Sequence, residues 1–86
     1  MPSRTQPKKK GADAWEGYDG PLNPQGLPNG RGLMKWSDGE EYEGAWSKGV
    51  EHGFGRLVFA NGDVYEGQFV DGYIKGKGSM RYNRYI

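Results

Sequence analysis

"YEGAWSKGVEHGFG" spans Tyr42–Gly55, and "YEGQFVDGYIKGKG" spans residues 65–78. The frame Tyr-Glu-Gly-x-aromatic, then x-x-Gly, then Gly-x-Gly, returns after 23 residues while the residues between are exchanged. Self-similarity at a fixed period of this length marks a repeat architecture and outranks local propensity. Gly-x-Gly occurs three times at that period, as Gly30-Arg31-Gly32, Gly53-Phe54-Gly55 and Gly76-Lys77-Gly78. Aromatic-Glu-Gly also occurs three times, as Trp15-Glu16-Gly17, Tyr42-Glu43-Gly44 and Tyr65-Glu66-Gly67. The last two are 23 residues apart and the first two 27. The first repeat therefore reads as one with four extra residues inside "YDGPLNPQGLPNG" (18–30), whose three prolines stiffen an enlarged loop.

Inside each unit the period is two, the period of a strand. Tyr65, Gly67 and Phe69 fall on one face, and Glu66, Gln68 and Val70 on the other. On the following strand Gly76, Gly78, Met80 and Tyr82 share a face, as do Gly53, Gly55, Leu57 and Phe59 one repeat earlier. Lys48-Gly49 and Asp71-Gly72 supply a turn within each hairpin. Ser37-Asp38-Gly39 and Ala60-Asn61-Gly62 supply the turn to the next. Asp-Gly and Asn-Gly are strong hairpin signals. The expected fold is all-β: three antiparallel hairpins stacked side by side as one elongated, twisted meander sheet. Residues 1–14 read as a disordered basic tail and 15–86 as the repeat domain, with repeats 15–41, 42–64 and 65–86.

Glycine inside a strand is normally unfavourable. Its return at one face position in every repeat predicts that something occupies the space above it, and the simplest occupant is an aromatic ring from a neighbouring strand. Tyr42, Trp46, Phe59, Tyr65, Phe69 and Tyr82 are then expected to lie flat over a floor built from Gly44, Gly53, Gly55, Gly67, Gly76 and Gly78. Each ring so buried contributes roughly 1.5–3 kcal/mol, so the sheet needs few aliphatics. The composition agrees: 16 Gly, three Trp, six Tyr and three Phe in 86 residues, with only 34% hydrophobic.

The same composition excludes several classes. With no cysteine there is neither a disulfide framework nor a thiolate metal site. No apolar run approaches the ~20 residues of a spanning helix, and the N-terminus carries no apolar signal-peptide core. A soluble, intracellular protein is expected. The net charge is +1, but it is unevenly spread. Residues 1–14 hold four basic side chains (Arg4, Lys8, Lys9 and Lys10) and one acid, residues 15–74 four basic and ten acidic, and residues 75–86 four basic and none acidic.

Taken together, Tyr-Glu-Gly-x-aromatic-x-x-Gly-x-x-x-Gly-x-Gly on a 23-residue period resembles the MORN repeat (membrane occupation and recognition nexus). The resemblance is closest over Tyr42–Val64 and Tyr65–Tyr82, and extends to the His-Gly-x-Gly of His52–Gly55. It is weaker over Trp15–Glu41, where Trp15 stands in the tyrosine's place. The resemblance implies one hairpin per repeat, no cofactor and a non-enzymatic scaffold role in cytoskeletal, ciliary or membrane-associated assemblies.

The chemistry-bearing residues weigh toward architecture. His52 is the only histidine and occupies the repeat slot of Asn29 and Lys75, so it reads as a repeat residue rather than a base. Glu16, Glu43 and Glu66 recur on the face away from the rings. Facing basic residues such as Arg56 or Arg81, they read as surface pairs rather than a cation array. The Gly-x-Gly elements lack the following helix that a phosphate loop needs. Stacking of the aromatics on nucleic acid is disfavoured, because the same rings are needed for packing.

What remains for recognition is the C-terminal edge strand (Met80, Arg81, Tyr82, Arg84, Tyr85 and Ile86), the basic tail, and the variable residues Ala45, Ser47, Lys48, Val50, Glu51 and Phe54. An open edge is a template for another strand. A second copy or a larger partner is expected there, with acidic lipid or an acidic filament surface as a further target of the tail. The reading that follows is a protein-binding scaffold subunit. The alternative is a peripheral module for acidic phospholipids.

Overall fold

A computed structural model describes residues 15 and 17–84. In it the chain forms β1 (Tyr18–Asp19), β2 (Gly30–Lys35), β3 (Glu41–Ser47), β4 (Val50–Val58), β5 (Val64–Val70) and β6 (Tyr73–Arg81). Each strand pairs antiparallel with its sequence neighbour, in the order β1-β2-β3-β4-β5-β6, and the described residues contain no helix. This is the expected meander of stacked hairpins, with extents of 41 × 26 × 20 Å. The tail reading of 1–14 falls outside the described residues.

Turn chemistry explains the pairing. The β3–β4 hairpin closes through Lys48-Gly49, with φ of 51° and 88°, and β5–β6 through Asp71-Gly72, with φ of 52° and 87°. Two successive positive φ angles define the turn whose twist matches a hairpin. The links between hairpins use a different device. The Gly39 N–H donates to the Trp36 carbonyl at 3.0 Å, and the Gly62 N–H to the Phe59 carbonyl at 2.8 Å. One residue before each glycine, Asp38 Oδ1 and Asn61 Oδ1 accept the N–H of Glu40 and Asp63, both at 2.9 Å. The first hairpin has a longer connection. In it Asn23 Oδ1 accepts the N–H of Gln25 and of Leu27 at 3.0 Å, and Leu22 bridges to Pro28.

The register corrects the reading of the first repeat. Tyr18 stands opposite Met34, as Tyr42 stands opposite Leu57 and Tyr65 opposite Met80. The frame therefore begins at Tyr18-Asp19-Gly20, not at Trp15-Glu16-Gly17, and the first loop is longer by one residue rather than four. A hydrogen bond recurs with it. The hydroxyl of Tyr18 donates to the Pro21 carbonyl (2.8 Å), that of Tyr42 to Ala45 (2.7 Å) and that of Tyr65 to Gln68 (3.2 Å). Trp15 packs edge-on against Trp46 instead, with centroids 6.4 Å apart.

The two glycines of each Gly-x-Gly do different work. A Cβ on the second would overlap the tyrosine ring of the preceding strand: Tyr18 at Gly32, Tyr42 at Gly55, Tyr65 at Gly78. Here the ring-over-glycine reading describes the molecule. The first glycine sits where the register shifts, between β3 and β4 and again between β5 and β6. Gly53 has φ 106° and Gly76 has φ 72°, in the left-handed region, as a bulge requires. No ring covers these positions; the nearest side chains are Ala45 and Gln68.

Packing of the remaining aromatics differs from the expected floor. Trp46 lies edge-on between Tyr18 (5.5 Å) and Tyr42 (5.1 Å), and Phe69 between Tyr42 (4.9 Å) and Tyr65 (5.4 Å). A continuous edge-to-face spine thus runs Tyr18–Trp46–Tyr42–Phe69–Tyr65, the preferred geometry for aromatic quadrupoles. Met34, Leu57 and Phe59 complete the buried core. Tyr82, expected over glycine, is 43% exposed, because no strand lies beyond β6 among the described residues.

Two outcomes follow. Gly55→Val should lower the urea unfolding free energy by about 1–3 kcal/mol or more through overlap with Tyr42, and Gly78→Val should do the same through Tyr65, whereas Ser79→Ala should stay within about 0.5 kcal/mol of the parent. Lys48→Asn, which places Asn-Gly at a turn where lysine is held at φ 51°, should raise stability by about 0.5–1 kcal/mol.

Candidate interaction surface

With the rings gathered on one face, the other face carries what varies. Two rows of side chains cross it. One runs Asp19, Leu33, Glu43, Arg56, Glu66 and Ser79, each residue opposite the next. Charges alternate along its middle, and the Arg56 Nε–Glu66 Oε2 pair, at 3.7 Å, is half exposed on both sides. Such a pair contributes under about 1 kcal/mol. Glu66 faces Ser79, and Arg81 faces Val64, so Arg81 is not the basic partner of a repeat glutamate. Glu16 lies outside the described residues.

The second row includes Arg31 opposite Ala45, and Phe54 opposite Gln68. Between the rows runs a line of glycines, Gly32, Gly44, Gly55, Gly67 and Gly78, paired in succession. Two shallow grooves, of about 300 and 240 Å³, lie along this line and share Arg31 and Glu43. Phe54 stands at the rim of the smaller, 56% exposed. Arg31 was not singled out in the sequence; its place between the two glycines of Gly-x-Gly was the available signal.

Among the variable residues, Lys48 and Phe54 are exposed and Ala45, Ser47 and Val50 half-buried. Glu51 is a correction: it is fully buried and stands opposite Trp46 on the ring face. The two-residue bulge keeps its parity with Gly53 and Gly55, so period two places it inside. Pro28 and Ile74 hold the equivalent slot, the first buried and the second half-buried.

His52 takes a repeat role that the slot explains. Its Nδ1 accepts the N–H of Asp71, in the next hairpin's turn, at 3.3 Å. Asn29 Oδ1 accepts the equivalent N–H of Lys48 at 3.0 Å. The slot thus ties one hairpin's turn to the previous repeat. Lys75 follows in the series and, as an ammonium, has no lone pair to offer. The described residues hold no cluster of three or more metal-ligating side chains.

At the far edge, β6 pairs with β5 on one side and with nothing described on the other. Met80 is half-buried, while Lys75, Lys77, Arg81, Tyr82 and Arg84 are exposed. Beyond β6, Asn83 donates its N–H to Asp63 Oδ1 at 2.6 Å and its Nδ2 to the Asn61 carbonyl at 2.7 Å, so the strand's exit is pinned to the preceding turn. Tyr85, Ile86, Arg4, Lys8, Lys9 and Lys10 lie outside the described residues.

Successive hairpins, stacked in one register and tied by recurring side-chain contacts, define a β-repeat module. Comparison with known families matches the MORN repeat at residues 25–41, 42–64 and 65–84. The chain belongs to the MORN repeat family. Comparison with curated proteins gives no match.

Titration offers a check on the first repeat. Burial, and then the neighbouring Asp19 carboxylate, raise the Tyr18 hydroxyl above the ordinary tyrosine value. A raised acid favours the protonated fold: this stability is complete below the unfolded pKa of about 10 and is lost as pH climbs through the folded value. Tyr18→Phe should therefore flatten the alkaline loss of stability above about pH 10, and at neutral pH should cost about 0.5–1.5 kcal/mol for the lost bond to Pro21. Urea unfolding at pH 7 and across pH 9–11 checks both.

Proposed function

We propose that this chain is a non-enzymatic scaffold subunit, a MORN-repeat sheet that joins other proteins in a larger cytoskeletal or ciliary assembly. The observation that carries the reading is the division of labour between residues. The recurring tyrosines, second glycines and ring-face aromatics are consumed in building the sheet. Apart from Glu51, the varying ones stand on the outer face and along β6, where they present charge, an exposed Phe54 and, among the described residues, backbone that no strand pairs. Family membership supports the repeat-scaffold class, and the cytoskeletal or ciliary setting is the one the family resemblance implies. An enzyme reading has little to stand on among the described residues: His52 is surface-exposed, its imidazole occupied by the Asp71 turn.

A second reading draws on the exposed basic series Lys75, Lys77, Arg81 and Arg84. Each basic side chain near an anionic membrane contributes about 1 kcal/mol, so this strip, acting with Lys8–Lys10, would suit acidic phospholipid.

Two measurements on native material separate the readings. Cross-linking mass spectrometry should join Lys75 and Lys77 to residues of defined partner proteins, and the isolated protein should stay unbound in flotation with phosphatidylserine vesicles. Salt-sensitive flotation, without reproducible protein cross-links, would overturn the scaffold reading in favour of the membrane one.

A further inference from the structure

We infer that the outer face binds an acidic polyproline II segment of a partner protein, laid across the strands and contacted once per repeat by the middle residue of Gly-x-Gly. The inference rests on the scaffold reading and gives its partner a chemistry and a site.

The register places those middle residues in one row. Arg31, Phe54 and Lys77 each stand directly before a glycine of the paired line, Gly32, Gly55 and Gly78, and all three are exposed. On the intervening strands lie Ala45, opposite Arg31, and Gln68, opposite Phe54. The row is thus a cation, a ring and a cation, separated by one small and one uncharged side chain. It repeats across the strands, once for every hairpin.

Its spacing selects the conformation of the ligand. Neighbouring strands lie about 4.8 Å apart, so the three side chains follow one another in steps of ~9.6 Å. A polyproline II helix returns the same face every three residues, or ~9.3 Å, and falls short by only ~0.6 Å over the two steps. An extended strand returns a face every ~6.7 Å and has no residue at the middle step. An α-helix needs seven residues, ~10.5 Å, and overshoots by ~1.8 Å over the same span.

Charge selects its side chains. Neither Arg31 nor Lys77 makes an ion pair among the described residues, so each is open to a carboxylate. Phe54, exposed between them, suits the apolar flank of a proline or leucine. Across the glycine line stand Glu43 and Glu66, the second already 3.7 Å from Arg56. Those acids direct the ligand's carboxylates to the Arg31–Lys77 side. The sequence that fits is acid-x-x-apolar-x-x-acid.

The two grooves give the segment its path. The smaller is walled by Arg31 and Phe54 on one side and by Glu43, Arg56 and Glu66 on the other, and the larger continues it past Gly32 and Gly44. Both run across the strands, the direction in which the row repeats. A polyproline II segment has no internal hydrogen bonds to break and is extended before it binds, so docking it costs little conformational entropy. A single-stranded nucleic acid could stack a base on Phe54, but Glu43 and Glu66 would repel its phosphates along the same path.

The probe is a nine-residue synthetic peptide, proline throughout except for glutamate at its second and eighth positions and leucine at its fifth. It is titrated into the isotope-labelled full chain and amide chemical shifts are followed. Saturable shifts should gather at Arg31, Phe54 and Lys77 and along the glycine line. Phe54→Ala should weaken binding by about tenfold or more while the ring-face amides stay in place. The double variant Arg31→Glu, Lys77→Glu should lose this peptide and bind instead its counterpart with lysine for glutamate. The proposal is overturned if these amides do not shift, if moving the leucine by one position leaves the affinity unchanged, or if an oligothymidylate of similar length binds the same amides more tightly. Partner cross-links that persist alongside a negative titration would leave the scaffold reading standing and remove only this one.

Discussion

The contact on which the sheet depends is a tyrosine ring laid over a glycine of the following strand. It occurs at Tyr18 over Gly32, Tyr42 over Gly55 and Tyr65 over Gly78. Removing the Cβ lets the ring descend to the backbone, and the ring supplies the apolar cover that a strand of glycines lacks. The hydroxyl, carried past the glycine, reaches a carbonyl three residues further along its own chain. One residue pair therefore provides burial, strand spacing and a satisfied polar group. Repeated three times, it makes a core from a chain with few aliphatic residues. The edge-to-face aromatics Trp46 and Phe69 join the three contacts into one body.

Because the rings all lie on one side, the two faces have separate duties. On the ring face the tyrosines are held over glycine and the inner rings are wedged between their neighbours. The outer face bears pairs that contribute little to stability and is free to vary. The edges differ as well. β1 is short and soon met by proline, the usual protection of a sheet edge, while β6 is long, basic and fitted with the residues of an interior strand. Asymmetry of this kind gives the module a direction.

Much of this was legible in the chain. The 23-residue period, the strand periodicity and the Lys48-Gly49 and Asp71-Gly72 turns each point to stacked hairpins, and the sheet follows them. Reading the glycines as a floor for rings identified the right chemistry at Gly55 and Gly78. It overreached at Gly53 and Gly76, because a bulge glycine and a floor glycine are the same letter, told apart only by φ and by what stands above. The first repeat was misplaced for a related reason. Trp15-Glu16-Gly17 matches the frame by composition, yet only pairing with Met34 shows that Tyr18 is the tyrosine of that unit. Glu51 looked like a surface residue because charged residues usually are; the bulge preserves its parity and puts it inside.

Local information determined the kind of structure. Glycine at fixed intervals, paired turn residues and alternating rings specify hairpins of one length, because backbone freedom and side-chain period act over a few residues. Tertiary structure decided what depends on neighbours distant in the chain. It determined which aromatic covers which glycine, that His52 serves as an acceptor for the next turn, and that Met80, Gly78 and Gly76 face no described strand. Those facts belong to strand register, which is set by the sum of cross-strand contacts and not by any one segment.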